Sequence, residues 1–179
     1  MARKRNKLLI VDGYNVLRSG ERYKTTAFGP DYTDDAFNTA RERLINDVVN
    51  FAGRDWRAII VFDGAKNEFS TGETQTIGGV RIMFSPAGTS ADKVIEKLAH
   101  DARVRNVETM VVTSDATIQD TVFGGGIDRM SANGFSREVG MYYEDVHLDE
   151  TPKVALKRTL GDRIKPDVLE KLKAMRDGA

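Results

Sequence analysis

"LLIVDGYN", residues 8–15, sets four apolar residues against a carboxylate, a glycine, a tyrosine and an amide. A run without polar alternation is what a strand covered on both faces requires. Such a strand is among the stiffest parts of a domain, so an acid on its last residue is held without a flexible loop of its own. Two later runs share the form. Residues 59–62 (IIVF) end at Asp63, and residues 110–112 (MVV) lead through Thr113 and Ser114 to Asp115.

Helical patterns separate these runs. Residues 33–52 open on a Thr or Asp cap and bring Phe37, Ala40, Leu44, Ile45, Val48 and Val49 to one face. Residues 89–104 repeat apolar positions at Ala91, Val94, Ile95, Leu98, Ala99 and Ala102, an amphipathic helix lying on a sheet. Strands alternating with helices imply right-handed crossovers and a mostly parallel sheet. Residues 80–84 (VRIMF) and, more weakly, 126–130 (GIDRM) add strands, for about five in all. Residues 18–32 and 64–79 read as long loops, and long loops in a compact domain are often functional. Residues 1–150 are expected to form one domain, with 151–179 a polar linker and a short helix after Pro166 belonging to the same unit.

Composition narrows the chemistry. The 27 basic and 27 acidic side chains of the 179 residues cancel, so a nucleic-acid partner must be held by a local patch. The absence of cysteine excludes disulfides, thiolate metal sites and thiol nucleophiles. The basic start MARKRNK precedes an apolar run too short for a signal peptide or membrane span, so a cytoplasmic protein without a membrane partner is expected. Gly124-Gly125-Gly126 follows a helix and lacks the flanking pattern of a phosphate loop, which argues against a nucleotide cofactor.

In open parallel sheets, ligands bind beyond the carboxyl ends of the strands. Asp12, Asp63 and Asp115 belong to that edge, and Asp92 joins them from the first turn of the 89–104 helix, with Glu96 one turn on. Each has an innocent reading as well. Asp92 completes a capping-box pattern with Thr89, Asp63-Gly64 suits a turn, and Asp115 suits a helix start. Together, carboxylates around one cleft repel one another unless a cation or shared protons relieve them. Oxygen ligands suit Mg²⁺ or Mn²⁺, whereas zinc prefers nitrogen and sulfur.

The ordered strings DGYNVL, VFDG, TSADKVIEKLA and VVTSDATIQD, with the ending LGDRIKPDVLEKLKAMRDG, resemble the NYN family of PIN-like nucleases, in its YacP-like branch. The resemblance implies a PIN-like three-layer α/β sandwich and a Mg²⁺- or Mn²⁺-dependent endoribonuclease. Water would attack RNA in line, leaving 5′-phosphate and 3′-hydroxyl ends. The branch also contains a ribosome-associated enzyme, which implies mRNA on the ribosome as a substrate. Carried over by position, Asp12, Asp92 and Asp115 match the family's acids, Asn15 its amide, and Asp63 its second-strand acid. Asn15 is then placed to orient Asp12 or a bound water, while Glu96 and Asp120 stand behind the others. The segment 126–139 departs from the family's usual S-A-R-E, having Asn133-Gly134 in its place.

RNA near an acidic pocket needs positive charge around it. Arg18, Arg22, Lys24 and Lys66 flank the site, with Arg81 and Arg129 as additions. Tyr23, Phe28, Tyr32 and Phe69 are candidates for stacking on bases. His100 and His147 read as structural or exposed. The competing function is an inactive RNA- or ribosome-binding module of the same fold. A phosphatase or phosphoacceptor domain is a third option, but it should show DxDxT or a paired-acid site, which DGYNV does not fit.

Overall fold

The computed structural model describes residues 7–24, 26, 33–64, 74–122 and 124–145. The chain divides into two units, Met1–Val139 and Gly140–Ala179. In the second, residues 140–145 are described and are helical. The expected domain boundary after residue 150, the short helix after Pro166, and Lys66, Phe28, Tyr32, Phe69 and His147 lie outside the described residues.

The first unit alternates as expected. Strand β1 (Lys7–Asp12) leads directly into α1 (Gly13–Ser19), and α2 (Asp34–Ala52) leads to β2 (Trp56–Phe62). Strands β3 (Thr74–Ile77) and β4 (Val80–Phe84) precede α3 (Ala91–Val104), β5 (Glu108–Val112), α4 (Ala116–Val122) and β6 (Ile127–Met130). Residues 132–139 are helical. The sheet has six strands in the order β3-β4-β2-β1-β5-β6. All neighbours run parallel except the antiparallel β3–β4 pair.

The extra strand is β3, TQTI, which falls in the stretch 64–79 expected to be a loop. All four of its residues are exposed, so it carries no apolar pattern to read. Its signal is the turn: Gly78 and Gly79 have φ of 56° and 83°, the backbone that a two-residue hairpin needs and that glycine adopts without strain. A Cβ on Gly78 would also stand 2.9 Å from the Val49 side chain on α2.

Strand β1 sits in the middle, paired with β2 from Lys7↔Trp56 to Asp12↔Val61 and with β5 from Lys7↔Glu108 to Val11↔Val112. Leu9, Ile10 and Val11 are fully buried because both faces are covered. One face packs Leu8, Ile10, Ile59, Val61 and Val111 under Ile95, Ala99 and Ile118 of α3 and α4. On the other side α1 and α2 pack on β2. Each large side chain buried this way contributes roughly 1.5–3 kcal/mol.

Helix α2 is capped by Thr33, whose Oγ1 accepts from the Ala36 N–H at 3.0 Å, as the sequence indicates. Its inner face is not wholly apolar. Asp47 lies there, 1 % exposed, accepting from Arg22 Nε at 2.7 Å and from the Tyr23 hydroxyl at 2.7 Å. Tyr23 is fully buried, which corrects its reading as a base-stacking loop aromatic. Burial, and then the neighbouring Asp47, raise its hydroxyl pKa well above the tyrosine range.

Gly13 works by proximity. It opens α1 with the Phe62 ring against its backbone, and an added Cβ would lie 2.4 Å from Phe62 Cε1. Phe62 in turn packs on Tyr14 and Phe84, so the ring has little room to yield. Gly13→Ala is expected to destabilise the fold by roughly 1–3 kcal/mol, the cost of overpacking a filled core, measured by denaturant unfolding. An unchanged midpoint would mean that the ring moves freely.

Candidate active site

Parallel pairing delivers the strand ends to one edge, and the acids come with them. Asp12 is the last residue of β1 and only 6 % exposed. Thr113, fully buried just past β5, joins it to the next segment: its hydroxyl donates to Asp12 Oδ2 at 3.1 Å and accepts from the Asp115 N–H at 3.1 Å. Gln119 Nε2 donates to the Thr113 carbonyl at 2.8 Å. Asn15, on the first turns of α1, accepts the Ser114 N–H on its Oδ1 at 2.7 Å. Its carboxamide therefore braces the loop bearing Asp115, while its own backbone amide acts on the Asp12 carboxylate.

The innocent roles divide unevenly among the acids. On α3 the cap is Ser90, whose Oγ accepts from the Lys93 N–H at 3.4 Å. Asp92 is thereby released from that duty, and it has no hydrogen bond among the described residues. Asp115 keeps half of its local role, since Oδ1 accepts from the Thr117 N–H at 2.8 Å. Asp63 accepts from Ser85 Oγ at 3.3 Å, and the same hydroxyl accepts from the Gly64 N–H at 2.8 Å. Glu96 accepts from Thr121 Oγ1 at 3.1 Å, tying α3 to α4. Asp120 is exposed on α4.

Asp12, Asp92, Asp115, Asp63 and Glu96 stand near enough for their charges to act on one another. Burial pushes Asp12 up from 3.8 to about 6; Asp92 and Asp115 push the same way, and the Thr113 hydroxyl and Asn15 amide oppose them. Asp92 is also raised, first by burial and then by Asp115, Asp63 and Glu96. No described basic side chain is ion-paired to Asp12, Asp92 or Asp115. Among the described residues no three acids form a ready-made ligand cluster. Mg²⁺ takes one or two carboxylates and keeps several waters, so it does not require such a cluster.

The basic candidates are more dispersed. Arg18 is exposed on the last turn of α1. Arg22 is turned to Asp47, and Lys24 pairs with Glu21 at 2.7 Å. Arg129 donates to Gln119 Oε1 at 3.1 Å, and Arg81 lies on β4 in register with Ile59. Asn133 accepts the Glu21 N–H at 2.9 Å, which ties the departing segment to the chain after α1.

Thr113 and Ser85 are the two functional-site residues that sequence reasoning passed over. A signal existed for the first: continuing the β1–β5 register beyond Val11↔Val112 sets Thr113 beside Asp12. Ser85 has the matching one: continuing the β2–β4 register beyond Phe62↔Phe84 sets it beside Asp63.

Comparison with known proteins agrees with this fold. The model of the YacP-like NYN domain matches residues 9–177. YacP of Bacillus subtilis (strain 168) is 32% identical over 132 residues, 74% of this chain and 74% of that protein. The crystal structure of Rae1 (YacP) from Bacillus subtilis superposes with a TM-score of 0.60 at 30% identity, covering 96% of this chain and 95% of that one. A point mutant of the same protein gives 0.63 at 28% identity, covering 94% and 99%.

Proposed function

Because the chain belongs to the YacP-like NYN domain family, a nuclease-type family whose substrate is RNA, we propose that it is a Mg²⁺- or Mn²⁺-dependent endoribonuclease acting on mRNA presented by the ribosome. The observation that carries this is the acidic edge itself. Asp12 is buried, raised to about 6, and surrounded by other carboxylates rather than by arginine or lysine. A purely structural cluster of this kind costs stability and returns nothing.

In this reading Asp12, Asp92, Asp115 and Asp63 hold the ion, directly or through its waters. When bound, Mg²⁺ or Mn²⁺ would supply the charge that offsets the attacked phosphate and would acidify a water at neutral pH. The protein's part is geometric. Thr113 fixes the Asp12 carboxylate against the Asp115 backbone, Asn15 fixes the loop between them, and Ser90 leaves Asp92 free to face the cleft. Water attacks the phosphorus in line with the departing 3′-oxygen, giving 5′-phosphate and 3′-hydroxyl ends. Arg18, Arg22, Lys24 and Lys66 are proposed to meet the RNA backbone, with Arg22 doing so only from its place beside Asp47.

Asp92→Asn is expected to cut RNA at least a hundredfold more slowly, since charge stabilisation at a metal site is worth several kcal/mol and 1.36 kcal/mol is tenfold. Its melting temperature should not fall, because Ser90 holds the cap. Cleavage is followed on single-stranded RNA and on mRNA loaded on ribosomes, and Mn²⁺ binding by calorimetry. Cutting by the variant at the wild-type rate would remove Asp92 from the site. RNA or ribosome binding by the wild type with no Mn²⁺ binding and no cleavage on either substrate would instead make it the inactive module.

A further inference from the structure

The sheet face beneath α3 carries charge where a core face is normally apolar. In register, Leu8 sits beside Arg57, and Ile59 beside Arg81, which is paired in turn with Thr76. Side chains at one register position share a face. Leu8 and Ile59 belong to the core under α3, so Arg57 and Arg81 stand on that face too. Helix α3 packs on β1, β2 and β5, and beyond it the β4 side is left open. Arg105, just past the end of α3, reaches the same space.

The outcome is a cavity of about 430 Å³, within the roughly 300–1,000 Å³ of small-molecule sites. Leu8, Ile59 and Leu98 give it apolar walls, and Arg57, Arg81 and Arg105 give it positive charge. None of the three arginines has an ion-pair partner among the described residues. Asp101 is the one acid among the lining residues. Arg57 precedes Asp63 by six residues, which at about 3.3 Å each is ~20 Å along the strand. The cavity is thus well removed from the acidic edge.

Three guanidinium groups around one hollow repel one another, and a dianion relieves this. Arginine meets phosphate through paired N–H bonds that lysine cannot reproduce. The apolar walls beside the charges suit a flat ring, and arginine planes themselves stack on bases. Asp101, an acceptor only, suits the hydroxyl of a sugar or the amino group of a base.

We propose that this cavity binds a phosphorylated nucleoside, its phosphate held by Arg57, Arg81 and Arg105 and its base laid against Leu8, Ile59 and Leu98. The source is either a free nucleotide or the 5′-terminal nucleotide of an RNA. The proposal owes nothing to the glycine run at 124–126 and does not depend on the nuclease reading of the acidic edge.

Calorimetric titration of the full chain in EDTA-containing buffer tests it. The probes are the four ribonucleoside 5′-monophosphates, inorganic phosphate, and a short oligoribonucleotide with either a 5′-phosphate or a 5′-hydroxyl. Binding of a monophosphate, or of the 5′-phosphorylated oligonucleotide in preference to its 5′-hydroxyl twin, is expected. Affinity should fall at least tenfold in both Arg81→Gln and Arg105→Gln, whose folding is checked by thermal melting. If one variant fails to fold, the other decides, because the two arginines lie on separate elements. A monophosphate that binds as tightly as the oligonucleotide identifies a free nucleotide; preference for the phosphorylated end identifies RNA. No binding by any probe, inorganic phosphate binding as tightly as the nucleotides, or affinities in the folded variants within twofold of wild type would overturn the proposal. So would loss of binding in Asp12→Asn with retention in Arg81→Gln, which would move the ligand to the acidic cleft.

Discussion

Replacing Asp12 by asparagine is expected to raise the melting temperature in metal-free buffer at neutral pH, while slowing RNA cleavage about a thousandfold. The two effects share a cause. In the folded protein the Asp12 carboxyl titrates near 6 rather than 3.8, chiefly because it is buried. The native state therefore holds that proton more tightly than the unfolded chain. Its contribution to stability is present in full below about pH 4 and is lost as the pH rises through about 6. Ionising it costs at most about 3 kcal/mol, at 1.36 kcal/mol per pKa unit. Asparagine keeps the shape and an acceptor for the Thr113 hydroxyl without the charge, so most of that cost disappears. The difference in unfolding free energy between wild type and Asp12→Asn should grow from pH 4 to pH 7 and then level off. Added Mn²⁺ should stabilise the wild type more than the variant, by mass action on the folded state. A variant less stable than wild type across this range would mean that the Asp12 charge is already compensated within the protein.

The second large effect lies away from the acidic edge. Asp47→Ala is expected to cost roughly 3–5 kcal/mol, because it strands the partly buried Arg22 guanidinium and the buried Tyr23 hydroxyl together. Against a total of about 5–15 kcal/mol for an ordinary domain, that is a large share. Asp47 joins α2 to the chain just after α1, so its loss should also loosen the helix that follows Asp12. Tyr23→Phe should cost only about 1 kcal/mol, one hydrogen bond. Urea unfolding of the three proteins measures both, and a cost below about 1 kcal/mol for Asp47→Ala would mean that water replaces the carboxylate.

The contrast between these two acids shows what the sequence could and could not say. Asp12, Asp63 and Asp115 were legible because each follows an apolar run, and parallel pairing leaves no other place for such residues than one edge. Strands β1, β2 and β5 were legible for the same reason. Asp47 was partly legible: with Ala40 and Leu44 it keeps the i, i+4, i+7 spacing of an inward face, but a carboxylate there reads as polar until its partners are known. Those partners are 24 and 25 residues away, a separation that no local pattern encodes. Tyr23 was misplaced for the same reason, since its surroundings in sequence are polar and its surroundings in space are α2. At Asp92 the string TSAD reads as a capping box led by Thr89, and only the backbone geometry shows that Ser90 takes the role. The edge strand β3 left no trace in hydropathy because none of its side chains is buried.

The sheet order also fixes when, during synthesis, the acidic edge can exist. Strand β1 leaves the ribosome first but lies between β2 and β5, so its second neighbour is incomplete until residue 112 has been made. The Thr113 hydroxyl that clasps Asp12 comes one residue later, and Asp115 two after that. A nascent or truncated chain ending before this point retains Asp12, Asp63 and Asp92 without the strand that completes their setting. Pairing between segments about a hundred residues apart is slow to form, so the acidic edge closes only after most of the first unit has been translated.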